Sequence, residues 1–100
     1  MSYIKEKGDH IMKAIVTVTG KDTTGIIAKV CTHLADSSVN ILDISQTVMQ
    51  QYFTMTMLVD LSTGTKNVTE LGEELEALGK TMGLVIRTQR EDIFDLMYRV

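Results

Sequence analysis

Residues 13–35 read KAIVTVT, GKDTTG, IIAKVCTHLA, and a change of period inside this stretch decides the fold. Over residues 13–19 the pattern alternates. Ala14, Val16 and Val18 share one face, and Ile15, Thr17 and Thr19 share the other. Alternation among β-branched residues is the mark of a half-buried strand. Residues 20–25 are turn formers. From Gly25 onward Ile26, Ile27, Val30, Cys31, Leu34 and Ala35 recur at helical spacing, and Asp22, Thr23 or Thr24 can cap the helix start. The short polar run Asp36-Ser37-Ser38 ends the helix by competing for backbone hydrogen bonds.

The same logic extends outward. Asn40 opens a second strand over residues 41–49, with Leu42, Ile44 and Val48 on one face and Asp43, Ser45 and Thr47 on the other. Gln50-Gln51 separates it from a third strand, residues 52–61, in which Phe53, Met55, Met57, Val59 and Leu61 alternate with Tyr52, Thr54 and Thr56. That spacing predicts a hairpin without the usual Asn-Gly turn. Asn67 and Glu70 form a capping box ahead of a helix whose apolar stripe is Val68, Leu71, Leu75, Leu78 and Met82. Gly83 suits the left-handed position after its end. Leu84, Ile86 and Thr88 mark a fourth strand. Residues 91–100 read as a terminal helix with Ile93, Phe94, Met97 and Tyr98 on one side.

The predicted order β-α-β-β-α-β plus a tail helix is an α+β, ferredoxin-like sandwich: an antiparallel sheet with both main helices on one face and a C-terminal extra helix. The opposite sheet face carries Thr and Ser with Ile15, Ile41 and Val85, which makes it a surface for a dimer partner or for the tail helix.

The 100 residues fit one domain. An apolar share of 44% supports a packed core. A net charge of −3, with the basic residues scattered, does not suggest nucleic-acid binding. The single cysteine, Cys31, excludes a disulfide within the chain and a CxxC metal or redox site, and is expected as a small core residue. No apolar run approaches the ~18 residues of a membrane-spanning helix. The first twelve residues lack the apolar centre of a signal peptide, so the cytoplasm is the expected compartment.

Catalytic signals are missing. His10 and His33 stand far apart, and HxxxH and HExxH are absent, so no metal or cofactor site is expected. The serines lack a nucleophile elbow. Asp43 has no evident carboxylate partner, Asp36 and Asp60 read as element-end residues, and Met49, Met55 and Met57 as core or interface filler. The informative segment is residues 20–26. It joins a strand to a helix start, where backbone N–H groups and the helix dipole favour an anion. Gly25 lets a ligand approach the backbone, and Asp22 can accept from an ammonium group, so the loop suits a zwitterion. The same residues also make an ordinary capped turn. Neither GxGxxG nor a Walker lysine pattern is present.

These residues resemble a known family. The loop Gly20-Lys21-Asp22-Thr23-Thr24-Gly25-Ile26 after its strand, Asn40-Ile41-Leu42-Asp43-Ile44-Ser45-Gln46-Thr47, Tyr52-Phe53-Thr54-Met55 and Ile93-Phe94-Asp95-Leu96-Met97-Tyr98 resemble the ACT domain, and most closely the small stand-alone ACT proteins of bacteria and archaea. The likeness implies a single ACT-like domain over residues 12–100, and residues 1–11, which have no clear period, are expected to be a flexible lead-in. It implies amino-acid binding and the regulation of a metabolic enzyme or of transcription. It also implies a homodimer, two sheets side by side forming eight strands, with ligand at the seam near the first loop. The implied ligand-binding residues are Asp22, Gly25 and Ile26 in the loop, and Asn40 and Ile41, which would lie beside the loop across the pair. Most members of the family sit on an enzyme, and because these 100 residues hold a single domain the expected action is in trans. The runner-up is a ligand-independent adaptor or regulator of the glycine-cleavage repressor type. Enzymes and binders of the same fold fit less well. An acylphosphatase needs an arginine where the first loop has only Lys21, and a metallochaperone needs CxxC there. An RNA-binding domain needs exposed aromatics on its central strands, whereas Tyr52 and Phe53 are adjacent and point to opposite faces.

Overall fold

The computed structural model describes residues 12–21 and 25–92. In chain order the elements are β1 (Lys13–Lys21), α1 (Ile26–Asp36), β2 (Asn40–Met49), β3 (Tyr52–Asp60), α2 (Val68–Met82) and β4 (Leu84–Arg90). The strands form one sheet in the order β2-β3-β1-β4, with every neighbouring pair antiparallel. This is the predicted ferredoxin-like α+β sandwich. The expected lead-in, residues 1–11, and the tail beyond Asp92 lie outside the described residues, while Glu91 and Asp92 are helical.

β1 is the axis of the sheet. Ala14, Val16 and Val18 are fully buried, as the alternation predicts. They pack with Phe53, Met55, Met57 and Val59 of β3 and with Leu84 and Ile86 of β4. The strand runs two residues further than its composition suggests. Gly20 faces Phe53 on one side and Leu84 on the other, and Lys21 faces Tyr52. Pairing on both sides outweighs the local turn preference of Gly-Lys.

The helices cover one face. α1 buries only Ile26, Val30 and Leu34, a narrower stripe than expected: Ile27 is exposed and Cys31 is half-buried rather than a core residue. The helix closes through Ser38, whose φ of 58° is left-handed. There Val39 N–H donates to the Leu34 carbonyl at 2.9 Å while the Val39 side chain enters the core. α2 starts on the predicted capping box, in which Glu70 N–H donates to Asn67 Oδ1 at 2.8 Å and Asn67 N–H donates to Glu70 Oε1 at 3.1 Å. It ends at Gly83 with φ 72°.

β2 departs most from the sequence pattern. All ten of its residues are exposed. A bulge at Leu42 breaks the alternation: Ile41 stands opposite Val59, yet Asp43 stands opposite Leu58. The extra residue moves Ile41 from the open face, where uniform alternation puts it, to the helix side. Ile44 and Val48 share that side, opposite Met57 and Phe53, but neither is buried. β2 is thus an uncovered edge.

α2 sits close on β4 because Gly79 has no side chain. A Cβ there would meet the Leu84 carbonyl oxygen at 2.9 Å and Ile86 Cγ1 at 3.0 Å. At Gly72 a Cβ would meet only the Thr88 side chain, with Cβ at 3.4 Å and Oγ1 at 3.9 Å. Helix propensity favours alanine at both sites by about 1 kcal/mol. Overpacking against backbone costs about 1–3 kcal/mol and wins at Gly79. Urea denaturation should therefore separate the two substitutions by sign, Gly72→Ala raising stability by up to about 1 kcal/mol and Gly79→Ala lowering it.

Candidate functional site

The loop identified in the sequence ends at Gly25, the N-cap position of α1, with φ 86°. This conformation suits glycine, and a Cβ there would meet nothing within 4 Å. The cap position therefore carries no side-chain acceptor, in contrast to Asn67 at the start of α2. The first turn of α1 also holds no acidic residue. Such a helix start presents partial positive charge at its first backbone N–H groups. Ile26 follows but is 2% exposed, so it contributes its backbone and anchors the helix in the core. Asp22, with Thr23 and Thr24, lies outside the described residues.

Asn40 and Ile41 begin β2 at the other end of the sheet. Asn40 is in line with Asp60 and Lys13, whereas Met49 is in line with Tyr52 and Lys21, the residue nearest the loop. Eight residues of β1 separate the two rows, about 27 Å at strand rise. One chain therefore keeps the Gly25–Ile26 end apart from Asn40 and Ile41.

The β2 edge itself is unusual. Five of its ten residues are apolar, from Ile41 at 37% exposed to Met49 at 70%, and Asp43 is its one charged residue. Edge strands normally avoid pairing by means of lysine, proline or burial. The Leu42 bulge is one such device on β2, and Asp43, whose Oδ1 accepts from the Ile44 N–H at 2.9 Å, is another; residues 45–49 beyond them keep a regular register with β3.

A polar cluster that no sequence motif announces ties α1 to α2. His33 Nε2 lies 2.8 Å from Glu74 Oε1, and the same oxygen accepts from Lys66 Nζ. Lys66 also donates to Ser37 Oγ at 3.2 Å. The hydrogen bonds of Lys66 and then of His33 hold the Glu74 carboxyl below its ordinary value of 4.5. His33 is 41 residues from Glu74, so nothing local signals the pair; its place in the last turn of α1 is the only hint. Beside it an open groove of about 310 Å³ is lined by Ala28, Lys29, Thr32, His33, Asp36 and Leu78. Among the described residues no group of three His, Cys, Asp or Glu could hold a metal ion. Met55 and Met57 are core, while Met49 is exposed. Among the same residues no helix is long and apolar enough to cross a membrane.

The family model of the ACT domain matches residues 13–89. A UPF0237 protein of Clostridium acetobutylicum is 54% identical over 89 residues, which are 89% of this chain and 100% of that protein. The ACT domain protein of Streptococcus pneumoniae superposes with a TM-score of 0.74 at 47% identity, covering 87% of this chain and 98% of that one. A structure assigned as a glycine cleavage system transcriptional repressor gives a TM-score of 0.71 at 25% identity, covering 80% of this chain and 46% of that one.

The polar cluster has a pH signature. Because the folded state lowers the Glu74 pKa, its contribution to stability is complete above the unfolded value and is lost as pH falls through the lowered one. Thermal melts of the native chain should therefore lose stability below pH 4.5 more steeply than those of Glu74→Gln.

Proposed function

The chain belongs to the ACT-domain family, whose members are generally ligand-binding regulatory modules, and from this we propose that it is an amino-acid sensor working as a homodimer and acting in trans on a metabolic enzyme or regulator. The functional unit is residues 12–100. The observation that carries the reading is the combination of an α1 N-terminus capped by a bare glycine with a β2 edge exposed along its whole length.

Antiparallel pairing of two β2 strands would reverse the direction of the partner strand. The partner's Asn40 and Ile41 then lie at the end of the sheet where Gly25 and Ile26 lie, closing the 27 Å gap noted above. The ligand's carboxylate would sit on the α1 N–H groups and its ammonium group on Asp22, with Asn40 of the partner subunit completing the polar shell. Burial of Ile44 and Val48 at the seam would contribute on the order of 1.5–3 kcal/mol each. In this reading its action is binding, and its output passes through another protein.

A second reading rests on the likeness to the structure assigned as a glycine cleavage system transcriptional repressor. In it the chain is an adaptor that contacts an enzyme or regulator through its surface, with no ligand.

Two measurements decide between them. Sedimentation should show a dimer that Ile44→Lys with Val48→Lys converts to monomer. Calorimetric titration with the common amino acids should find one that binds the native chain, with affinity lowered at least roughly tenfold by Asp22→Ala through loss of about 1.4 kcal/mol, and lost in the monomeric variant. A dimer that binds none of them sinks the sensor reading and leaves the adaptor.

A further inference from the structure

The sheet has a second edge, and it differs from β2. Among the described residues β4 pairs only with β1, in an unbroken register from Leu84 to Arg90. In an antiparallel pair only alternate residues bond to the neighbour, so the others on β4 direct their N–H and C=O groups outward. A trough follows this strand. It consists of two adjoining hollows of about 380 and 170 Å³ that share Glu76, Ile86 and Arg87. Among the described residues its walls come from α2 and β4 alone. Together the hollows run along β4 from Leu84 to Gln89, about 17 Å at strand rise.

Charge divides across the trough. Glu73 and Glu76 stand on its α2 wall, exposed and with no ion pair among the described residues. Arg87 is exposed and likewise has no ion pair there. It stands in register with Thr17 and Thr56, on the sheet face turned away from the helices, whereas Ile86 and Thr88 face α2. Thr88 Oγ1 is buried with no hydrogen-bond partner, so the described residues leave polar pairing at this edge incomplete. An extended segment added to β4 turns successive side chains alternately toward α2 and toward the open face. The α2 side calls for a basic residue and the open face for an acidic one. A second copy of this edge does not meet that demand, because it brings carboxylates toward carboxylates and arginine toward arginine.

We propose that the trough beside β4 is a strand-addition site for an extended segment of the protein on which this chain acts, a segment in which a basic residue adjoins an acidic one. Main-chain hydrogen bonds to the outer edge of β4 hold the segment, and the charged pair sets its register, the basic side chain against Glu73 and Glu76 and the acidic one against Arg87. The inference rests on the reading of action in trans for its partner. It uses neither the ligand loop nor the β2 edge, which lies three strand spacings away, about 14 Å.

The probe is the capped peptide acetyl-Thr-Val-Lys-Glu-Val-Thr-amide, titrated into the full chain and followed through backbone amide resonances. Those of residues 84–89 should shift and those of residues 45–49 should not. The same peptide N-methylated along its backbone should shift neither. Glu76→Lys, at an exposed position, should weaken binding roughly tenfold by exchanging an attraction for a repulsion, and a peptide with glutamate in place of its lysine should recover the loss on that variant. Shifts elsewhere, no shifts, or shifts indifferent to N-methylation or to Glu76→Lys overturn the proposal. In the chain alone, the outward amides of β4 should exchange with solvent hydrogen at least roughly tenfold faster than the amides of β1. Equal protection means that the chain covers this edge itself, and overturns the proposal too. Loss of amino-acid binding in calorimetry with the peptide results intact fails the sensor reading and leaves this one standing.

Discussion

β1 is hydrogen-bonded along both edges while Ala14, Val16 and Val18 fill the centre of the core beneath it. A strand held on both sides cannot slip by one residue without turning three buried apolar side chains out and Ile15, Thr17 and Thr19 in. That constraint fixes the registers of β3 and β4. It sets which end of the sheet carries the loop to α1, and it leaves β2, bonded only to β3, as an edge. The helices add to this frame rather than define it. α1 fastens through three residues, and α2 fits because Gly79 lets it rest against the backbone of β4.

The two helix starts show how one sheet end can be closed and the other open. α2 satisfies its first amides with its own side chains, Asn67 and Glu70. α1 begins on Gly25 in a left-handed conformation, where no side chain of the cap residue can do so. A chain built only for stability gains about 1 kcal/mol from a polar cap at such a position.

Most of the fold was legible because the core strands obey a simple period. β1 and β3 alternate cleanly, the Asn67–Glu70 box marks α2 to the residue, and Gly83 marks its end. What the sequence hid has physical causes. A period of two assumes an unbroken register, so the bulge at Leu42, and with it the true side of Ile41, could not be foreseen. Gly20 and Lys21 look like a turn until two flanking strands claim them. Cys31 shares the helical spacing of the core stripe, yet α1 buries only Ile26, Val30 and Leu34 and leaves Cys31 half-buried. The cluster of His33, Glu74 and Lys66 joins residues that only the fold brings together. For the candidate site, residue chemistry pointed to the loop, but the link to Asn40 and Ile41 came from family resemblance. One chain alone keeps those two groups at opposite ends of a strand.

The strand order has one more consequence. Because β1 and β4 are neighbours and antiparallel, Ala14 stands opposite Arg90, so the chain comes into the sheet and goes out of it within about 5 Å. Both connections to anything before or after the sheet lie at one end, and the loop to α1 lies at the other. Such a unit is portable. It can be spliced into a longer polypeptide, or strung in tandem, with its neighbours attached at a single point and its loop end unobstructed.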